Sequence, residues 1–245
     1  MKTKQLNIQQ DNPRRNFIKR GSLLVLGSAV IGMSGTNASA QVKNMDDEEE
    51  EKEVSANEDL MREHGLLQRM MIIYDTAVIR MGKDEYFNPV FVNQTADIIR
   101  NFVEDYHEKL EEDYLFPRLR KANKETELVE VLLKQHRGGR DVTEKILKLT
   151  QPGQDMKTDD KQEVIALMTM FNRMYRPHEA REDTVLFPAF KSVVSAHEYG
   201  ALGEEFEKIE HQKFGGDGFD MMVDKVAEIE RTIGIYDLDQ FTPHI

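Results

Sequence analysis

The sequence predicts an all-α protein: an up-down four-helix bundle with two additional C-terminal helices packed against it as an annex. Three observations carry that prediction. Apolar residues recur at helical spacing through most of the chain after residue 55. Charged residues make up 32% of the chain and glycines and prolines are few, a composition that favours helix. Two strings, HEKLEEDYLFP at 107–117 and HEAREDTVLFP at 178–188, repeat one polar-then-apolar order 71 residues apart.

The elements follow in order. Residues 1–40 hold six basic side chains against one acid, so the remainder carries a formal charge near −17. NPRRNFIKR, then GSLLVLGSAVIGM, then small residues ending at Ala40 have the three parts of an export signal. The apolar run is too short and too glycine-rich for a membrane span. Arg14-Arg15 followed by Phe17 and Lys19 resembles a twin-arginine signal, which implies an exported, periplasmic or extracellular protein whose mature chain starts at Gln41. Residues 41–54, with KNMDDEEEEKE, read as a disordered acidic leader because like charges repel and bury nothing.

Residues 55–190 should form the four-helix bundle. Ser55 with Glu58 is a capping-box pattern, followed by Leu60, His64, Leu67, Met71 and Val78 at helical spacing. This first helix should end near 81–85, and FNPVFVNQ at 87–94 reads as a loop. A second helix is predicted from about Thr95 to Leu119, with Ile99, Phe102, Val103, Tyr106 and Leu110 as its apolar stripe. A third spans roughly 125–149, where Gly138-Gly139 would allow close approach or leave room beside His136. After a Pro-Gly linker at 151–160, a fourth helix should run to about 193, bent or ended early by Pro177 and Pro188. Residues 191–245 form the annex. Ser195 and Glu198 offer a second capping box, one short helix stops at Gly215-Gly216, and another covers DGFDMMVDKVAEIERTIG.

The repeat extends beyond the quoted strings. His64 precedes His107 by 43 residues and His136 precedes His178 by 42. Each half therefore reads as a lone helical histidine followed by His-x-x-x-Glu on the next helix. Positions i and i+4 share a helical face, so His107 with Glu111 and His178 with Glu182 present paired donors. In an up-down bundle the second and fourth helices run the same way and can face each other, which brings two carboxylates among four imidazoles. Buried bare, such a set would be costly. Two divalent cations remove the difficulty, each taking one lone histidine, one paired histidine and a share of bridging Glu111 and Glu182. Imidazole and carboxylate without sulfur suit non-haem iron best, with manganese or zinc also open. The absence of cysteine rules out thiolate ligation, a disulfide framework and a cysteine nucleophile.

His197, His211 and His244 lie outside the repeat, and of these His211 could fold back over the site. Leu115, Phe116, Leu186 and Phe187 should plug one end of the cluster. Met70, Met71, Met168, Met170 and Met174 read as core fillers, and Tyr74, Tyr114 and Tyr175 as structural, the alternative being that they reach the cluster as hydrogen-bond donors or radical sinks. A formal charge of −12 disfavours non-specific nucleic-acid binding, and HRGGRD lacks the spacing of a phosphate loop.

His64, HEKLE at 107–111, His136 and HEARE at 178–182, with their LFP endings, resemble the hemerythrin-like (HHE cation-binding) family over roughly 55–190. The resemblance implies a four-helix bundle around a non-haem di-iron centre that reacts with or carries dioxygen, and it implies the same six ligands. Two departures stand out. Arg140 sits where oxygen carriers of the family have the second histidine of a His-x-x-x-His pair. Glu182 stands four residues after His178, where those carriers have an aspartate five residues on. In some members the acid after the motif histidine also ligates, which would add Glu108 or Glu179. Binding or sensing of O2 or a related oxidant is the first expectation for activity. A di-iron redox enzyme acting on peroxide or ferrous iron, and a metal-stabilised cation-binding or interaction protein without catalysis, remain alternatives.

Overall fold

The computed structural model describes residues 54–153 and 156–243. The export signal, the acidic leader up to Glu53 and His244 lie outside the described residues.

Helix α1 (Ala56–Gly82) buries Leu60, His64, Leu67, Met71 and Tyr74 along one stripe. Each large apolar side chain removed from water there contributes about 1.5–3 kcal/mol. Ser55 precedes the helix in extended conformation but makes no side-chain cap. The capping-box expectation fails at this end: Tyr199 OH, from the annex, accepts from Asn57 N (3.3 Å) in the first turn and donates to Ser55 Oγ (3.2 Å).

Helix α2 is a composite rod over residues 89–121. It begins as Pro89–Ile98, widens into a π-helical stretch Ile99–His107, and continues as Glu108–Leu110. A second π stretch, Glu111–Leu115, leads into Phe116–Lys121. The loop expected at 87–94 is thus largely helix. Asn88 caps it by accepting from Val90 N (3.1 Å), and Pro89 sits in the first turn, where its missing N–H costs nothing.

Helix α3 (Thr126–Leu149) is followed by a turn through Gly153 (φ +82°), and α4 covers residues 158–193. Pro177 neither ends nor interrupts α4, whose first segment runs Thr158–Arg181 before a π stretch, Glu182–Leu186, and a last segment Phe187–Val193. The shorter π stretches share a cause. Pro117 and Pro188 lack the N–H that would serve the carbonyls of Asp113 and Thr184, and the helix widens just upstream of each. Both widened turns begin at the repeat glutamates, Glu111 and Glu182.

The four rods form a closed ring, α1 beside α2, α2 beside α3, α3 beside α4 and α4 beside α1. Helices α5 (Ala196–Phe214) and α6 (Gly218–Ile233) pack against α1 within the same compact unit, Val54–Ile245. The Ser195 cap forms as expected, accepting from Glu198 N at 3.1 Å, and Gly215 (φ +76°) ends α5 in the left-handed conformation that glycine favours. Arg69 grips Glu230 by Nε–Oε1 (3.0 Å) and Nη2–Oε2 (2.5 Å), and Phe214 packs on Phe102 and Tyr106. Among the methionines expected in the core, Met70, Met71 and Met168 are buried, but Met170 is 57% exposed on the outer face of α4. No helix among the described residues is long and apolar enough to cross a membrane.

Candidate metal centre

All four repeat histidines and both repeat glutamates point inward and are buried, Glu111, Glu182 and His136 completely. They fall into two groups whose donor atoms lie within 4.8 Å of one another: His64, His107 and Glu111, and His136, His178 and Glu182. The imidazole centroids are 4.7 Å apart in the first pair and 5.1 Å in the second.

The carboxylates span both groups. Glu111 lies 3.9 Å from His107 Nε2 and 3.4 Å from His136 Nε2. Glu182 lies 3.1 Å from His178 Nε2, 3.4 Å from His64 Nε2 and 4.0 Å from His136 Nε2. Even so, neither oxygen of Glu111 or Glu182 has a well-formed hydrogen bond among the described residues, and His136 Nε2 has none. Buried oxygens of this kind are costly unless a cation meets them.

The outer nitrogen of every ring explains this. Nδ1 of His64 meets Asp183 (2.8 Å), that of His107 meets Glu63 (2.7 Å), that of His136 meets Glu112 (3.1 Å) and that of His178 meets Gln135 Oε1 (2.9 Å). A carboxylate or amide oxygen only accepts, so Nδ1 of each ring carries a proton, and Nε2 is the nitrogen left to offer a lone pair to a cation at the centre. Lone pairs then face carboxylate oxygens, and the space between calls for positive charge.

The protonation equilibria show the same demand for positive charge, which protons on His136 and His64 meet when no cation does. Burial alone would depress His136, but Glu108, Glu111 and Glu112 push it up to about 10. Burial also works against charged His64, yet Asp183 and Glu182 hold it well above its ordinary value. His107, where burial dominates, falls to about 4. Burial would raise Glu182, but His178 and His64 hold it well below the usual carboxylate range. The donor set is nitrogen and oxygen throughout, so the residues present fit non-haem iron, manganese or zinc.

Glu108 and Glu179 are buried beside the centre but belong to neither inner group. Tyr175 OH donates to Glu108 Oε1 (2.6 Å), and Arg140 Nη2 lies 2.6 Å from Glu108 Oε2 and 2.8 Å from Glu112 Oε1. Glu108, Glu112 and His136 could themselves hold a cation, and the guanidinium already supplies one to both carboxylates. Arg140 therefore acts as a charge partner one layer out. Gln68 donates to Glu179, whose carboxyl is pushed up to about 8 by burial. Tyr175, expected to be structural, thus reaches the outer layer, and Gly139 makes that possible. A Cβ at Gly139 would fall 2.1 Å from Tyr175 OH. Tyr74 and Tyr114 instead pack against Phe171 and Phe206. His211 lies outside these groups, its Nδ1 donating to Glu207 O on its own helix, and His197 is exposed.

The Leu-Phe-Pro ends are buried and do more than fill space. Phe116 stacks on His136 (5.6 Å, 24°) and Phe187 on His64 (5.5 Å, 16°). Sequence reasoning missed all four Nδ1 partners. A signal existed: Glu63 and Gln135 directly precede the lone histidines, while Glu112 and Asp183 directly follow the repeat glutamates.

One turn before His107, Glu104 is fully buried beside Arg100 (2.9 Å), and burial raises it to about 7. Between pH 4.5 and 7 the folded state thus binds more protons here than the unfolded chain. The stabilising contribution is complete below pH 4.5 and is lost as pH rises through 7. Glu104→Gln should reduce the loss of unfolding free energy between pH 5 and 8 by roughly 3 kcal/mol at most. Paired denaturant titrations of both proteins at the two pH values check it, and parallel pH profiles would refute it.

An α-helical bundle with two histidine pairs bridged by two carboxylates defines a class, the helical-bundle proteins built to hold metal between facing helices. The family comparison is more specific. Residues 55–190 match the hemerythrin HHE cation binding domain, and the chain belongs to that family. It is also 42% identical to uncharacterized proteins of Mycobacterium bovis and Mycobacterium tuberculosis, the match covering 98% of this chain and 97% of each relative. No solved structure matches it significantly.

Proposed function

We propose that this chain is an exported non-haem di-iron protein that binds or senses dioxygen or a related small oxidant. The observation that carries the reading is the reach of Glu111 and Glu182, each lying near a histidine of both pairs while accepting no well-formed hydrogen bond. His64 and His107 would hold one ion, His136 and His178 the other, with the two carboxylates shared. Two imidazoles and shared carboxylates are fewer donors than a non-haem iron ion accepts, so room remains for a small ligand.

Ferrous iron bound there would supply the electrons on which oxygen binding draws. The chain's own residues do the rest. Asp183, Glu63, Glu112 and Gln135 fix the tautomer and orientation of the four rings. Phe116, Phe187, Leu115 and Leu186 keep bulk water from the imidazoles. The basic, apolar and small-residue segments of residues 1–40 support export, and a metal centre inside a bundle suits a pathway that accepts folded cargo.

The test is to purify the exported form anaerobically, determine its N-terminus and metal content, and record its visible spectrum with and without O2. A chain starting at Gln41, two irons per chain, and an absorption band that appears with O2 and reverses on its removal are expected. Steady consumption of added peroxide would replace carriage or sensing with catalysis. Two zinc ions and no band would leave a metal-stabilised protein without oxygen chemistry. An uncleaved chain retained in the cytoplasm would remove the export reading.

A further inference from the structure

The inner donors of the two histidine pairs match, but their outer partners do not. Around His64 and His107 both Nδ1 protons go to carboxylates, Asp183 at 2.8 Å and Glu63 at 2.7 Å. Around His178 the partner is the neutral amide of Gln135 at 2.9 Å. Around His136 it is Glu112 at 3.1 Å, whose charge is already shared with Arg140 Nη2 at 2.8 Å and with Lys109. Gln135 holds the place in the second half that Glu63 holds in the first, since each directly precedes the lone histidine and orients the paired one.

An imidazole whose N–H is given to a carboxylate becomes a stronger donor at its other nitrogen, and such outer partners are worth about ten- to hundredfold in metal affinity. An amide, or a carboxylate neutralised by a guanidinium, gives less. We infer that the two metal positions are unequal: the His64–His107 position fills first and binds its ion about ten- to hundredfold more tightly than the His136–His178 position, and Gln135 sets the difference. This rests on the two-ion reading above. Gln135 acts here as a positioning residue, tuning His178 without touching the metal.

The probe is cobalt(II), titrated into the metal-free full-length chain and followed by calorimetry and by its visible absorption. The wild type should fill in two resolved steps, one equivalent each. Gln135→Glu should tighten the second step about ten- to hundredfold, so that the steps merge, and leave the first unchanged. Glu63→Gln should weaken the first step by a similar factor. Gln135→Leu, which removes the acceptor and adds no charge, should weaken the second step, so opposite responses at one position separate charge tuning from disrupted packing. Two equivalents taken up in one wild-type step, or a second step that moves the same way in Gln135→Glu and Gln135→Leu, would overturn the inference alone. Binding of one equivalent or none would overturn the two-ion reading itself.

Discussion

Replacing Glu111 with alanine is expected to strip the chain of at least one of its two metal ions and to lower the melting temperature of the metal-loaded protein by about 10 °C. The carboxylate reaches His107 on its own helix and His136 on α3, so its removal takes an oxygen from both proposed positions at once. A ligand present at a thousandfold excess over its Kd stabilises the folded state by about 4 kcal/mol, and losing that contribution moves a domain of this size by roughly 8–16 °C. His107→Ala should act in the same direction on the first position. Glu130→Ala, at an exposed glutamate paired with Arg120 on the surface, should change neither quantity. Metal analysis after gel filtration, with thermal unfolding in the presence and absence of chelator, measures both effects. Unchanged stoichiometry in Glu111→Ala would take that residue out of the site.

The second large effect lies one layer out. Gly139→Ala is expected to destabilise the protein by about 2–4 kcal/mol, combining overpacking with a broken buried hydrogen bond. The added Cβ would meet Tyr175 OH at 2.1 Å and two ring carbons at 2.9 Å. Tyr175 cannot simply step aside, because its ring packs on Phe171 at 4.3 Å and on His178 at 5.3 Å. Any movement that relieves the clash breaks its 2.6 Å bond to Glu108. Gly138→Ala is the internal control, since its Cβ would meet only Met174 Sδ at 3.9 Å and a mid-helix alanine is favoured over glycine by up to about 1 kcal/mol. Equilibrium unfolding of the two variants should therefore move in opposite directions. Equal stabilities would mean that the close packing of Tyr175 against α3 contributes little.

Much of the inner site was legible because helical spacing is a rule about one chain at a time. Two His-x-x-x-Glu pairs and two lone histidines at matched distances are enough to place six side chains on inward faces. The outer layer was not legible, because it depends on which helix lies next door. Glu63, at i−1 from His64, points about 100° around α1 from it and reaches the outer nitrogen of His107 on α2. Local rules failed where they competed with tertiary contacts or were read too coarsely. Ser55 makes no cap where Tyr199 reaches in from the annex to Asn57 N and to Ser55 itself. Asn88-Pro89 is a helix-start signal hidden among residues that read as loop. The π turns follow from Pro117 and Pro188, yet the sequence shows only that proline disturbs a helix, and not that the disturbance widens it at Glu111 and Glu182.

The hydrogen bonds to the four outer nitrogens also cross between halves. Glu63 and Glu112 hold His107 and His136, while Gln135 and Asp183 hold His178 and His64, so each half steadies one ring of its own and one of the other's. The aromatic lids cross too, Phe116 covering the second half's lone ring and Phe187 the first's. A single helical hairpin cut from this chain would lack half of what it needs, whereas twin hairpins would complete each other. The molecule is wired as a fused dimer, the arrangement that tandem duplication of a two-helix peptide would leave behind, and Gln135, standing where the first half has Glu63, is a place where the two halves differ.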